Sequence, residues 1–342
     1  MLSNNQKVGN IMFTYSDDFC GIGGFRFAFD SLKTFQCICS SEIDKFARIT
    51  YEKFHGNFPE YSDINDSIDD RPYTDLFVGG FSCQPFSHYG VVANNYRGNP
   101  SGFEHIKGND FFTIVKILEK KKPKVFLLEN VKSLLYNDKY RTFKTMQENL
   151  DYVGYNFVYK VINASDWGPQ SRERVYIVGL DKKYDKNILD GVLDLPQCEN
   201  VVKLSDILLP EVEEKYNITE RTWDTLKKHK ERHLKKNSEG FGYGLLCPPF
   251  ENLKTRTLLS SYWRSGAEIL IWRSDDLPPR RLTPLECLRL QGFPKETEQW
   301  FDNTEVQPVS NMQAYRQFGN SIYVPVVTEI AKKISIIMTN IS

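Results

Sequence analysis

Short apolar runs separated by amphipathic stretches organise the first 180 or so residues of this chain. "NIMFTYSDDF" predicts a strand, "GGFRFAFDSL" opens a helix, "TFQCICSSEID" predicts a second strand and "DLFVGG" a third. In "DFFTIVKILEKKKP" the apolar residues Phe111, Phe112, Val115 and Leu118 fall at helical spacing, and Pro123 stops the run. "KVFLLEN" and "RVYIVGL" read as further strands. Strands that are apolar throughout, rather than alternating, belong to a sheet covered by helices on both faces. The pattern therefore predicts an α/β fold with a doubly wound, mostly parallel sheet.

From about Asp181 the periodicity weakens, and Lys, Asn, Ser and Gly dominate "KKHKERHLKKNSEGFGYG". Aromatics and arginines then interleave in "KTRTLLSSYWRSGAEILIWRSDDLPPRR". A smaller, irregular domain is expected over residues 185–278, between a main domain over 1–184 and a segment over 279–342 that returns to complete it. The return begins at "TPLECLRLQGF", where Thr283 can cap a helix and Pro284 suits its first turn. It closes with the apolar, helix-like "GNSIYVPVVTEIAKKISIIM".

Composition excludes more than it identifies. With 40% hydrophobic and 26% charged residues, the 342-residue chain is ordinary for a globular protein. No apolar run approaches the ~18 residues of a membrane span, and "MLSNNQKVGN" lacks a secretory pattern. Seven cysteines without CxxC pairs argue for reduced thiols and a cytoplasmic location. Cys37 and Cys39, two apart in a strand, are expected on one face as core thiols. The net charge is zero, but residues 1–80 hold 12 Asp/Glu against 7 Lys/Arg, whereas 221–289 hold 14 Lys/Arg against 8 Asp/Glu. An acidic front and a basic later segment suit one positive face turned to a polyanion.

Candidate chemistry concentrates where predicted strands end. "DFCGIGGFRFAF" sets Gly21, Gly23 and Gly24 between a strand and a helix, a turn that lets backbone approach an anionic ligand. Glu42 lies 21 residues after Gly21, at the end of the next strand, where a carboxylate can accept hydrogen bonds from ribose hydroxyls. This spacing suits NAD and S-adenosylmethionine equally. Asp63 in "YSDIN" can accept from an adenine amino group or serve only as a turn residue. In "DLFVGGFSCQPFSHYG", Cys83 stands on a glycine-relieved corner just past a buried strand. A free thiol is only about 3% thiolate at pH 7 unless its site activates it. Glu129 in "FLLENV" is expected on the same sheet edge. Arg172 and Arg174 in "QSRERVYIVG" alternate, which puts them on one face.

These pieces, in order, resemble the C5-specific cytosine DNA methyltransferases: "DFCGIGGF", "SEID", "SDI", "GGFSCQPFS", "LLENV", "QSRERVYIVG", "RRLTPLECLRLQGFP" and "QFGNSI", spanning about 1–182 and 279–342. The resemblance implies a Rossmann-like methyltransferase fold with a target-recognition domain, S-adenosyl-L-methionine as methyl donor, and a cytosine flipped out of double-stranded DNA. It implies Cys83 as nucleophile at C6, Glu129 as the group that protonates or hydrogen-bonds N3, and Arg172 and Arg174 as supports of the base carbonyl. Carried over residue by residue, the cofactor contacts fall on Phe19, Gly21, Ile22, Gly23, Gly24, Glu42, Ile43, Asp63, Ile64, Ser82, Asn320 and Ile322, with Phe19 and Ile64 sandwiching the adenine. DNA contacts fall on Gln84, Ser87, Arg256, Thr257 and Arg280; Arg280 matches a residue that helps order the target-recognition region. A monomer is expected, and a cognate restriction endonuclease in the same system without direct contact.

The chain departs from the family's pattern at Ser82, where proline usually precedes the cysteine, at Cys20, where alanine often stands, and in a longer segment after Cys83 ending "NDFF". His229 and His233 in "HKERH" share a helical spacing but lack the glutamate of zinc peptidases and a third ligand, so no metal is expected. Three rival functions stay open at this level: a tRNA cytosine methyltransferase, a catalytically silent DNA-binding relative, and an NAD-dependent dehydrogenase. The last leaves "SCQPFS" and "QSRERVYIVG" without a role.

Overall fold

A computed structural model describes residues 12–81, 110–235, 243–302 and 305–342. Six strands form the main sheet: β1 (Phe13–Asp18), β2 (Phe35–Ser41), β3 (Leu76–Gly80), β4 (Val125–Val131), β5 (Tyr155–Asn163) and β6 (Glu173–Asp181). Their order is β2-β1-β3-β4-β6-β5. β2, β1, β3 and β4 are parallel, while β6 runs antiparallel to both of its neighbours. The chain leaves β1 toward one side for β2 and returns to the other for β3. A crevice therefore opens beyond the carboxyl ends of β1 and β3, where open α/β sheets bind ligands.

Helices cover both faces. On one side α1 (Gly24–Asp30) and the C-terminal helix α9 (Val324–Asn340) bury Phe25, Ala28, Phe29, Val327, Ile330 and Ile334 against Tyr15, Val78, Leu127 and Val178. On the other, α3 (Asp110–Lys121) and α4 (Arg141–Tyr152) bury Phe111, Ile114, Leu118, Phe143 and Met146 against Phe77, Phe126, Leu128 and Ile177. Phe77 and Val78, or Phe126 and Leu127, are consecutive residues in opposite cores, as the strand period of two requires. α2 (Lys45–His55), capped by Asp44, follows β2. The expected α/β, doubly wound, mostly parallel fold is the observed one.

The sheet also carries an irregularity that corrects one expectation. Tyr15 pairs with Cys37 but Ser16 pairs with Cys39, so a bulge at Ile38 inserts one residue into β2. Cys37 and Cys39 thereby fall on opposite faces. Cys37 packs on the α1 side, and Cys39 lies 3.4 Å from Arg71 Nη2 on the other.

Beyond β6 lie the short helix α5 (Leu204–Ile207), the basic helix α6 (Glu220–Lys235) and a three-stranded sheet of two-residue strands, β7 (Leu245–Leu246), β8 (Leu270–Ile271) and β9 (Arg280–Arg281). β8 pairs with β9 across the position-278 boundary expected from sequence, so the returning segment begins inside this small sheet. α7 (Pro284–Leu290) starts as its sequence predicts: Thr283 Oγ1 accepts from Glu286 N, and Glu286 accepts from Thr283 N in a capping box. α8 (Asn311–Asn320) then leads through Ser321 and Ile322 into α9. Among the described residues no helix is long and apolar enough to cross a membrane.

Candidate active site

A cavity of about 620 Å³ opens at the carboxyl edge of the sheet. The turn after β1 forms its floor. Phe19 takes a left-handed φ of 54°, uncommon for an aromatic residue, and Gly21 and Gly23 follow with φ of 56° and 83°. Gly23 has no alternative, because a Cβ there would land on the His55 ring beneath. At Gly21 a Cβ would meet no atom within 4 Å, so that backbone is open toward the cavity. Glu42 fastens the turn: Oε2 accepts from Gly21 N at 2.8 Å and Oε1 from Asp44 N at 2.7 Å. Burial raises its pKa, which the two backbone donors oppose. Each carboxylate oxygen has a second lone pair, so the group can still accept from a diol.

Facing this turn are Gly319, Asn320, Ser321 and Ile322 from the end of α8. Gly24 allows the approach, since a Cβ there would lie 2.7 Å from Ile322 Cγ1. Asn320 is exposed and Ile322 buried. The other cofactor candidates sit at the periphery. Ile43 is 74% exposed, and Ile64 is buried in the core cluster against which Phe19 packs. Asp63 caps the short 3-10 turn Ile64–Ser67, its Oδ1 accepting from Asn65 N and Asn65 Nδ2, both at 2.8 Å.

The reactive side gathers at the end of β4. Because β6 is antiparallel, its first residues meet the last residues of β4, with Arg174 opposite Val131. Arg174 Nε lies 3.1 Å from Glu129 Oε1, and both side chains are largely buried. Burial raises the Glu129 pKa, with Arg174 and Arg172 opposing. Arg172 lines the same cavity as Arg174, as alternation suggested. It precedes the strand, and its guanidinium donates to three carbonyls, those of Leu258 (3.2 Å), Gly319 (3.3 Å) and Ser321 (2.5 Å). It therefore pins two distant segments to the cavity, and it lines the wall without presenting its fork to a base. Ser82, Cys83, Gln84 and Ser87 lie outside the described residues.

Residues 255–258 run beside residues 169–172, with Thr257 Oγ1 donating to Ser171 O and Leu258 N to Gln170 Oε1. This holds exposed Arg256 and half-buried Thr257 next to the cavity. Arg280 requires correction as a DNA contact. It is 6% exposed, and Nη1 and Nη2 donate to the two oxygens of Glu286, each at 2.8 Å. Turned into the protein, it orders the junction of β9 and α7.

Several cavity residues escaped the sequence reading. Asn130 Nδ2 donates to Phe81 O at 2.8 Å and its Oδ1 accepts from Val131 N, which ties the end of β3 to β4 two residues before Cys83. Its place beside Glu129 in "LLENV" was the available signal. Arg316, Gln317 and Ser260 complete the rim. Below the turn, Asp17 is fully buried with neither oxygen hydrogen-bonded; burial, reinforced by Asp18, raises its pKa well above the usual aspartate value.

The Rossmann-like sheet thus brings a glycine turn fastened by a glutamate and a buried acid–arginine pair to one cavity. The sequence matches the family described as C-5 cytosine-specific DNA methylase over residues 13–336, and the chain belongs to that family. It is 42% identical to the Type II methyltransferase M1.ScrFI of Lactococcus lactis subsp. cremoris over 320 residues, 93% of this chain and 76% of that protein. It is 39% identical to the Type II methyltransferase M.NlaX of Neisseria lactamica over 335 residues, 97% and 99% of the two chains. In fold it is similar to the S. pombe Dnmt2 methyltransferase, with a TM-score of 0.68 at 20% identity over 97% of this chain and 99% of that one.

Proposed function

We propose that this DNA cytosine-C5 methyltransferase moves the methyl group of S-adenosylmethionine onto a cytosine flipped out of a specific site in duplex DNA, through a covalent bond between Cys83 and C6. The observation that carries the proposal is the meeting of two half-sites in one cavity: the glycine turn with Glu42, and Glu129 with Arg174. The open backbone at Gly21 and the unused lone pairs of Glu42 fit an adenosyl ligand. S-adenosylmethionine, when bound, supplies a methyl group on a positively charged sulfur.

The chain's own residues make the base receptive. Cytosine C5 is a weak nucleophile. The Cys83 thiolate forms an S–C6 bond, and the C5–C6 electron pair moves through the ring toward N3, where Glu129 delivers a proton. The resulting enamine gives C5 the electron pair that takes the methyl group, breaking the donor's carbon–sulfur bond. Loss of the C5 proton then expels the thiolate, and N3 returns its proton to the Glu129 carboxylate, which restores both the ring and the acid. A carboxyl whose pKa is raised by burial suits the proton delivery, because it holds its proton to higher pH than an exposed glutamate. Arg174 keeps that carboxyl in place, and Arg172 holds the segments around it.

Duplex DNA as the partner is supported by exposed Lys227, Lys228, Lys230 and Arg232 on α6 and by Arg256 beside the cavity. The Type II names of the relatives support a place in a restriction–modification system. There the chain is proposed to act as a cytoplasmic monomer. Incubating the protein with labelled S-adenosylmethionine and either duplex DNA or tRNA tests the proposal. Label in DNA is expected, and label in tRNA or in neither would overturn it. DNA carrying 5-fluorocytosine at the target should become covalently attached to the protein.

A further inference from the structure

Asp18 and Arg71 form a buried ion pair beneath the cavity that the reaction does not use. Arg71 Nη2 lies 2.6 Å from Asp18 Oδ2, with side chains 2% and 0% exposed. Ser41 Oγ donates to the other carboxylate oxygen at 2.8 Å. The arginine lies over the Phe77 ring at 5.7 Å, and its Nη1 has no hydrogen-bond partner. Such a pair is a poor device for stability. Desolvating two charges costs about as much as their attraction returns, and apolar residues of similar size often do as well or better. The unpaired Nη1 adds to the cost.

Its position accounts for its presence. Asp18 immediately precedes Phe19, whose left-handed backbone begins the cofactor turn. Arg71 ends the segment that starts with Asp63 and Ile64, and its N–H donates to Ser67 O at 2.9 Å. The segment is also held by Thr113 Oγ1, which donates to Asn65 Oδ1 at 2.7 Å, and by Lys121 Nζ, which donates to Asp69 O at 2.9 Å. The ion pair thus crosses from the end of β1, which Phe19 directly follows, to the segment that carries Ile64, while Phe19 packs on the cluster containing Ile64. We infer that Asp18 and Arg71 are a positioning pair, setting the separation of Phe19 and Ile64 and hence the affinity for the adenosyl end of the methyl donor. The inference rests on the cofactor assignment of the preceding subsection.

The test replaces both partners by apolar residues, D18L/R71M, which removes the charges together and leaves neither stranded. Thermal stability should be retained, kcat at saturating donor and KM for DNA should stay near wild type, and KM for S-adenosylmethionine should rise about tenfold, the signature of lost binding without lost transition-state stabilisation. S-adenosylhomocysteine affinity, read by calorimetry, should fall by the same factor. A KM for the donor within about twofold of wild type, or a matching loss in kcat or in KM for DNA, would overturn the inference. Should the double variant fold poorly, R71K keeps the charge but loses the planar fork. It should raise the donor KM with kcat unchanged, and an unchanged KM in that variant is equally fatal. If the wild-type protein itself bound no S-adenosylhomocysteine, the cofactor assignment would fall first; binding by wild type with an unaffected variant would remove the positioning pair alone.

Discussion

Glu129→Gln is the most informative single change. Glutamine has nearly the same shape and can keep the 3.1 Å contact that Glu129 Oε1 makes with Arg174 Nε, while the acidic proton is lost. General acid–base catalysis contributes about 10²–10⁴ in rate, equivalent to about 3–5 kcal/mol of barrier. Single-turnover transfer of labelled methyl to target DNA should slow by that factor, while calorimetric binding of S-adenosylhomocysteine is unchanged. The pH dependence has a definite sign. Burial raises the Glu129 pKa above the usual glutamate value, so the protonated fraction and the wild-type rate fall as pH rises through the raised value. The glutamine variant should lack that limb. Stability follows the same linkage. Glu129's contribution is complete below its unfolded pKa and lost as pH rises through the folded one, so removing the ionisable group should not lower Tm at about pH 8. A variant rate within about fivefold of wild type at saturating donor and DNA would refute the acid role.

Cys83→Ala should abolish methyl transfer and the 5-fluorocytosine adduct while leaving S-adenosylhomocysteine affinity intact; residual turnover would show that another group attacks C6. Glu286→Ala strands the buried Arg280 guanidinium and removes the acceptor for Thr283 N and Leu209 N, and should cost about 3–5 kcal/mol in urea unfolding. Gly24→Ala drives a Cβ against Ile322 and should cost about 1–3 kcal/mol, with partial recovery in G24A/I322A measured by Tm. Affinity for target DNA should fall steeply between about 50 and 200 mM salt, and a flat titration would contradict phosphate contact by the basic segment.

What the sequence disclosed depended on how local each signal was. Apolar runs marked β1 to β4, β6, α1 and α3 because each puts its apolar residues into the two cores, and "TPLE" announced the start of α7 through its own capping groups. β5 escaped because it is an edge strand, with Tyr159 and Lys160 facing solvent. The reversed direction of β6 was invisible, since an apolar run has no polarity, and the bulge at Ile38 depends on pairing with β1. The same division holds in the site. Glu42 is found from its spacing to the glycine turn, because the βα unit fixes that distance. The work of Arg172 could not be found, as its carbonyl partners lie 86 to 149 residues away. Arg280 illustrates the converse. The resemblance placed it among the DNA contacts, and only the position of Glu286 shows it turned inward.

One wall of the cofactor cavity is made by Phe19 to Gly24 and the opposite wall by Gly319 to Ile322, which become neighbours only when α9 packs on α1. Roughly 300 residues separate the two, so at about 5–20 residues per second the second wall leaves the ribosome some 15–60 s after the first. During that interval the glycine turn has nothing across from it, so under the proposed function a chain stalled short of Asn320 should hold no methyl donor.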